Sequence, residues 1–524
     1  MKPLCSTIIS VWEVLGASLG TQQEPSSCGI LTDPSVNVPG IGTIHGTTLT
    51  PNPGVRQFLG IPYAQPPIGA RRFAPPQPAT VPFPNSLKTT TQLPPSCMQH
   101  LRKQPPSIYT QEINEFNLQG LNTTSPRITE DCLTLSIWTP SELSPTHLLP
   151  VIIFIHGGAF SIGGQDVPYQ VPAQWVQRTQ SHIVVSFNYR LNIFGFPSAA
   201  GLPEAEQNLG LLDQRLAVQW VHDHIFAFGG DPSRITLWGQ SAGALSVGYY
   251  QFAYATDPLV TGLIMDSGNE MLDITVSSDS RRGNFTAVAS QFGCGNLSAA
   301  EELACMRNVS AQDMEDFVST YTQAGSRLAV PFLPVVDNRT VFDNYTALAL
   351  SGNLAKVPVI LGSNAQDGVP FVPYSPGGVN TTLADIATLK IMFCPAFKAA
   401  TNRLKAGLQV FRYGYLGNFS NISPEPWMGA YHSSELPLIF GTHPDFRGNS
   451  TALEYATSQA MQDSWLSFAS APSSCKATGM AKQNWPAYAS VANGQVREFG
   501  VGSTGALTGS TKAIEALCPS IFQP

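Results

Sequence analysis

A chain of 524 residues, 43% hydrophobic and 12% charged, has ample apolar material for a large core. Its net charge of −7 and the lack of any Lys/Arg cluster exclude a phosphate-binding surface, so nucleic acid is not an expected partner. No Gly/Ser run, charge block or internal repeat marks a linker or solenoid, and one domain with long insertions is expected over residues 21–524.

At the N-terminus, Lys2 precedes a mostly apolar stretch from Leu4 to Leu19, interrupted by Glu13, with small residues at Gly16–Ser18. This outlines a signal peptide over residues 1–20 and hence a secreted, extracellular protein. Ten Asn-x-Ser/Thr triplets, more than chance suggests, begin at Asn122, Asn284, Asn296, Asn308, Asn338, Asn344, Asn380, Asn418, Asn421 and Asn449 and are candidate glycosylation sites. Of nine cysteines, Cys5 falls in the leader and leaves an even eight. Cys97 with Cys132, and Cys294 with Cys305, are spaced to close loops, whereas Cys28, Cys394, Cys475 and Cys518 allow three pairings. An export context favours disulfides over free thiols. No apolar stretch is long enough to span a bilayer, and the segment Cys518–Pro524 carries neither a GPI tail nor a retention signal, so no stable membrane anchor is expected.

Further along, short apolar runs end in glycine or polar residues: Pro150–Ile155 before Gly157, His182–Phe187, Arg234–Trp238 before Gly239, Leu263–Met265 before Asp266, and Val357–Leu361 before Gly362. Such runs predict buried strands of a parallel sheet. Helical patterns lie between them. One spans Asn208–Ile225, with Leu212, Leu216, Val218 and Val221 as its apolar set, and another spans Ala242–Phe252. Strand alternating with helix implies an α/β protein: a large, mostly parallel central sheet with helices on both faces. Ligands of such sheets bind beyond the carboxyl ends of the strands.

Chemistry-bearing residues follow those ends. Gly239-Gln240-Ser241-Ala242-Gly243 lies between a predicted strand and a predicted helix, the setting of a nucleophile elbow. The helix then aims its first N–H groups at the reacting centre. His156-Gly157-Gly158-Ala159-Phe160 follows the strand at 150–155, and the N–H groups of Gly157, Gly158 and Ala242 are candidates for an oxyanion hole. A serine hydroxyl needs a base, and the expected chain order is serine, acid, histidine. Two histidines follow Ser241. His432 is favoured, because His443, in Gly441-Thr442-His443-Pro444, reads as a surface turn. Asp367 follows the strand predicted at 357–361 and is the favoured acid, with Asp337 and Asp343 as alternatives in stretches that read as exposed loop.

Together these residues resemble the type-B carboxylesterases, which include cholinesterases and fungal lipases. The likeness runs from about Gly46 to Tyr488. It rests on Phe58–Ala64 with Pro66–Gly69 and Arg72-Phe73, on Glu130–Leu135, and on Asn188-Tyr189-Arg190, Gly210–Arg215 and Phe228–Pro232, in the order the family requires. The resemblance implies an α/β-hydrolase fold and an acyl-enzyme on serine, with no metal or organic cofactor. It implies Ser241, Asp367 and His432 as catalytic residues, with Ser267 hydrogen-bonded to the acid. Ion pairs Arg72–Glu130 and Arg190–Asp213, and disulfides Cys97–Cys132 and Cys294–Cys305, are implied likewise.

Several positions depart from the family pattern. Gln240 and Asp367 stand where glutamate is usual, only 65 residues separate Asp367 from His432, and the loop Cys97–Cys132 has no tryptophan. Without that ring and that charge a choline ester is disfavoured. The expected substrate is a small neutral carboxylic ester. The block around Phe411–Tyr413 and Tyr431–Glu435 is similar to fungal carboxylesterases and admits a fungal secondary metabolite. An acyltransferase with a non-water acceptor and a lipase with long-chain preference are the alternatives. For the lipase, Leu101, Ile108, Tyr109, Ile113, Phe116 and Leu118 would supply an apolar flap. A binding protein that has lost the chemistry fits less well, since Ser, Asp and His are all in place.

Overall fold

The computed structural model describes residues 34–521 apart from 50, 81–86, 89–91, 101–105, 114–126, 145, 273–277, 324–331, 446, 472–475 and 490–493. The expected leader at 1–20, Cys28, Cys475, Asn122, Leu101, Phe116 and Leu118 lie outside the described residues.

Eleven strands form one sheet: β1 (Thr47–Leu49), β2 (Asn52–Pro62), β3 (Thr134–Pro140), β4 (Leu149–Ile155), β5 (Ile183–Phe187), β6 (Gly230–Gln240), β7 (Gly262–Asp266), β8 (Val359–Asn364), β9 (Val410–Tyr415), β10 (Gln495–Phe499) and β11 (Ala506–Ser510). Their spatial order is β11-β10-β9-β8-β7-β6-β4-β5-β3-β2-β1. Neighbours from β5 through β10 pair in parallel. Strands β1 to β3 at one edge and β11 at the other pair antiparallel. The mostly parallel α/β architecture is therefore present.

Both faces are buried, which explains why the central strands read as unbroken apolar runs. In β4, Val151, Ile153 and Ile155 join one core cluster, and Ile152 and Phe154 join the other. Successive strand side chains point to opposite faces. On the first face the sheet packs against the helices Leu209–His224, Ala242–Ala253 and Cys394–Lys405 through Val218, Val221, Ala244, Val247, Ala399 and Ala400. On the second, Trp175, Val176, Met461, Trp465 and Phe468 come from Ala173–Thr179 and Ala452–Ser470.

Two strand boundaries differ from expectation. β8 begins at Val359, because Pro358 has no N–H to give the ladder. β6 begins at Gly230, which pairs with Leu149 ahead of a register shift that accommodates Asp231-Pro232. Arg190 and Asp213 form a buried bidentate pair, Nη2 to Oδ1 at 2.7 Å and Nε to Oδ2 at 2.8 Å, and Arg72 pairs with Glu130 at 2.6 Å. Among the described residues no helix is long and apolar enough to cross a membrane.

Cys97–Cys132 and Cys294–Cys305 are joined, and Cys394 is joined to Cys518. The third link ties the helix Cys394–Lys405 to the C-terminal turn across 124 residues. Closing so long a loop strongly restricts the unfolded chain. Replacing Cys394 and Cys518 together by alanine should lower stability by roughly 2–5 kcal/mol, read from denaturant midpoints. A midpoint unchanged from wild type would show that the link carries no such load.

Candidate active site

Ser241 sits between β6 and the helix Ala242–Ala253 with φ 55° and ψ −121°, a strained conformation for a non-glycine residue. Its cause is crowding of backbones. A Cβ on Gly243 would lie 2.0 Å from the carbonyl oxygen of Ile155, and one on Gly239 would lie 2.3 Å from the backbone of Gly243. Only glycine lets the helix start this close to β4. From the other side, the Ser241 N–H donates to the Asp266 carbonyl at 2.8 Å, at the end of β7. Ala159, Phe160, Ser267 and Ser433 also have positive φ, so strained backbone gathers around this point.

The oxyanion-hole candidates lie against the elbow. A Cβ on Gly157 would meet the Gln240 carbonyl oxygen at 2.8 Å and the Ser241 Cβ at 3.0 Å. Beneath the loop, the buried His156 stacks on Tyr189 at 4.5 Å, and its Nδ1 lies 2.8 Å from the Gly157 carbonyl. Burial lowers its pKa to about 4, so it stays neutral and acts as a strut. Sequence reading took this histidine only as part of a motif and missed its packing role.

His432 and Asp367 are brought together. Nδ1 of His432 lies 2.9 Å from Oδ1 of Asp367, and the Ser267 hydroxyl and the Asn364 N–H donate to Oδ2 at 2.9 and 2.7 Å. The Tyr109 hydroxyl, from the disulfide loop 97–132, donates to the His432 carbonyl at 3.0 Å, and Phe371 meets the imidazole edge-on at 5.2 Å. Nε2 of His432 is engaged by the Gln240 amide at 3.3 Å, and no hydrogen bond joins it to the Ser241 hydroxyl. With the Nδ1–H donating to Asp367, Nε2 carries the lone pair and the Gln240 amide donates to it. This contact is a consequence of glutamine at 240 that sequence inspection noted only as a missing charge.

The alternative residues have surroundings of their own. His443 is not a surface turn: it is 4% exposed, and its Nδ1 lies 2.6 Å from the Ser450 hydroxyl. Asp337 is not exposed loop either; it is buried and accepts from the N–H groups of Thr340 and Val341 at 2.7 and 2.9 Å, binding its own turn. Asp343 is exposed. One sequon is also corrected. Asn421 is buried, with its amide nitrogen donating to the His443 carbonyl at 2.9 Å and to Ser450 at 3.0 Å, so no glycan fits there. Asn296, Asn308, Asn338, Asn344, Asn380, Asn418 and Asn449 are exposed, and Asn284 is half-buried.

Ser241, Gly157, Gly158 and His432 all open into one cavity of about 460 Å³. Its apolar wall includes Ile162, Val167, Tyr169 and Leu333. The chain matches the family model described as the carboxylesterase family over residues 32–382 and 375–512. It belongs to the carboxylesterase family. It is 47% identical over 434 residues to the chlorogenic acid esterase of Aspergillus niger, covering 82% of this chain and 81% of that protein. It is 43% identical over 464 residues to secreted lipase 5 of Gibberella zeae, covering 83% and 84%. Identity to the acetylcholinesterase of Bungarus fasciatus is 31% over 478 residues, covering 82% and 77%. This carboxylesterase is thus a carboxylic ester hydrolase with the α/β-hydrolase fold.

Behind the histidine lie two more buried carboxyls that sequence reading did not assign. Glu435 accepts from the Asn364 amide, and Asp266 accepts from the Trp238 indole at 2.5 Å. Glu435 Oε1 and Asp266 Oδ1 have no hydrogen-bond partner among the described residues. Burial, and then the Asp367 charge, push Glu435 up to about 7; burial and Glu435 push Asp266 well above the carboxylate range. Between the ordinary value and 7 the unfolded chain has released the Glu435 proton and the native state still holds it. Stability therefore falls as pH rises through that window. Glu435→Gln should flatten the decline between about pH 4.5 and 7 in thermal melts. An equally steep decline in the variant would exclude Glu435 as its source.

Proposed function

We propose that this carboxylesterase hydrolyses neutral carboxylic esters through an acyl-enzyme on Ser241. The observation that carries the reading is the strained serine at the mouth of a cavity that it shares with a histidine held by a buried aspartate. In this mechanism His432 Nε2 takes the hydroxyl proton as Ser241 Oγ attacks the ester carbonyl. The N–H groups of Gly157, Gly158 and Ala242 bind the oxyanion, aided by the positive end of the helix that begins at Ala242. The tetrahedral intermediate collapses, and the departing alkoxide receives the proton from Nε2. Water then repeats the sequence on the acyl-enzyme, giving the acid and restoring Ser241. Before attack, the serine hydroxyl must take the place of the Gln240 amide on Nε2; such bonds often tighten only when substrate is bound. Asp367 supports the imidazolium that forms in each half-reaction.

Neutral substrates are favoured because Gln240 puts an amide, not a carboxylate, against the histidine. The two fungal relatives, named as a chlorogenic acid esterase and a lipase, bring aromatic and lipid esters into this reading, alongside a fungal secondary-metabolite ester. The lipase reading draws on one observation: the disulfide loop 97–132 contributes Ser107, Tyr109 and Thr110 to the cavity wall. We further read the protein as exported behind a leader at 1–20, with residues 21–524 as one catalytic domain. Its disulfides, its exposed sequons and a relative named as secreted support this.

Ser241→Ala should lower kcat on p-nitrophenyl acetate roughly 10⁴-fold or more, and Asp367→Asn should cause a large loss of the same kind. A serine variant retaining a few per cent of the wild-type rate would remove Ser241 from the role of nucleophile. A p-nitrophenyl ester series from acetate to palmitate separates the acyl-chain readings. A short-chain optimum is expected from a confined cavity, and an optimum at palmitate would establish the lipase reading instead.

A further inference from the structure

The cavity holds a second histidine arranged as His432 is. His100 lines the wall, and its Nδ1 is bound by the carboxylate of Glu315. Glu315 lies on the helix Ala311–Gln323 and is 1% exposed. The Asn192 amide donates to both of its oxygens, at 3.2 and 3.0 Å. Asn192 itself is held with φ 41°, and its N–H donates to the Phe160 carbonyl at 2.8 Å in the loop that follows the oxyanion glycines. On the other side of His100, the Gln99 side chain exchanges two hydrogen bonds with Gly163, both 2.8 Å. His100 is thus clamped against the oxyanion loop from two directions.

A buried carboxylate is costly unless it is compensated. Among the described residues, Nδ1 of His100 and the Asn192 amide are the hydrogen-bond partners of Glu315. With Glu315 accepting at Nδ1, the neutral ring carries its lone pair on Nε2. His432 meets the Gln240 amide through that atom, but Nε2 of His100 has no hydrogen-bond partner among the described residues. The His100 side chain is 13% exposed and lines the cavity. An oriented acceptor in a largely apolar wall discriminates by hydrogen bonding, because a ligand that cannot donate leaves it desolvated and unpaired.

We propose that His100, oriented by Glu315, is a recognition residue of this cavity that accepts a hydrogen bond from a hydroxyl of the substrate, so that hydroxylated esters, phenolic or polyol, are preferred over plain hydrocarbon ones. The inference rests on the reading of Ser241 as the nucleophile of the same cavity. It assigns no chemical step to His100; the residue selects and positions.

The test compares two matched pairs of esters, methyl 4-hydroxycinnamate with methyl cinnamate, and glycerol 1-butyrate with propyl butyrate. Each is assayed on wild type, His100→Leu and Glu315→Gln. The quantity read is the ratio of kcat/KM within a pair, in which a general loss of activity or of folded protein cancels. Wild type should favour the hydroxylated member of at least one pair by roughly tenfold, the worth of one net hydrogen bond. His100→Leu should bring that ratio to about one. Glu315→Gln, which no longer enforces the tautomer, should reduce it in the same pair. His100→Asn, which keeps an acceptor, should retain part of the preference. No preference in either pair, or a preference that survives His100→Leu and Glu315→Gln, would overturn the proposal while leaving Ser241 in place. A wild type inactive on p-nitrophenyl acetate as well would instead sink the nucleophile reading, and this inference with it.

Discussion

Everything in the site is referred to one contact between backbones, where the first turn of the helix Ala242–Ala253 rests on the carboxyl end of β4. The approach is close enough that Gly243 has no room for a Cβ beside the Ile155 carbonyl. This fixes the strained φ of Ser241 and places the helix N-terminus over the strand end from which Gly157 and Gly158 depart. The Ser241 N–H bond to the Asp266 carbonyl closes the turn from β7. Three adjacent parallel strands thus deliver the candidate nucleophile, oxyanion donors and supporting Ser267 to one spot. Their relative positions follow from sheet register and leave little to loop conformation.

The histidine reaches that spot differently. His432 lies beyond β9 with no strand of its own. It is held by Asp367 at Nδ1, by Tyr109 at its carbonyl, and by Phe371 against its ring. Behind it, Asp266, Asp367 and Glu435 crowd three carboxyls into a buried volume where charge is poorly solvated. Burial there holds protons on Asp266 and Glu435 that exposed carboxyls would lose, which couples the stability of this region to pH. The same low dielectric strengthens each hydrogen bond to the Asp367 carboxylate.

The pairing of an imidazole with a buried carboxylate occurs twice around the cavity, at His432–Asp367 and at His100–Glu315. The first meets the Gln240 amide beside the serine, and the second lines the cavity wall. With glutamine at 240 the site offers little negative charge to a cationic alcohol. The relatives of 47% and 43% identity are an esterase and a lipase, and the acetylcholinesterase is more distant at 31%. Neutral-ester chemistry with selection by hydrogen bonding agrees with both observations.

By itself the sequence determined the parallel sheet, because strands buried on both faces must be unbroken apolar runs. It determined the elbow, because Gly-x-Ser-x-Gly between strand and helix is a local pattern dictated by steric room. It also nominated Asp367 and His432, through their chain order and the strand end before Asp367. Tertiary structure alone decided the rest. His443 and Asp337 look like surface residues locally, yet both are buried in the folded chain. The Asn421 amide nitrogen donates to partners more than twenty residues away. The pairing of Cys394 with Cys518 joins elements 124 residues apart, which no spacing rule reaches. The Gln240 amide on His432, the acids Asp266 and Glu435 behind it, and the link from His100 to Glu315 across 215 residues are likewise long-range. Hydrogen-bond satisfaction in a folded interior depends on which groups are brought together, and that information resides in packing.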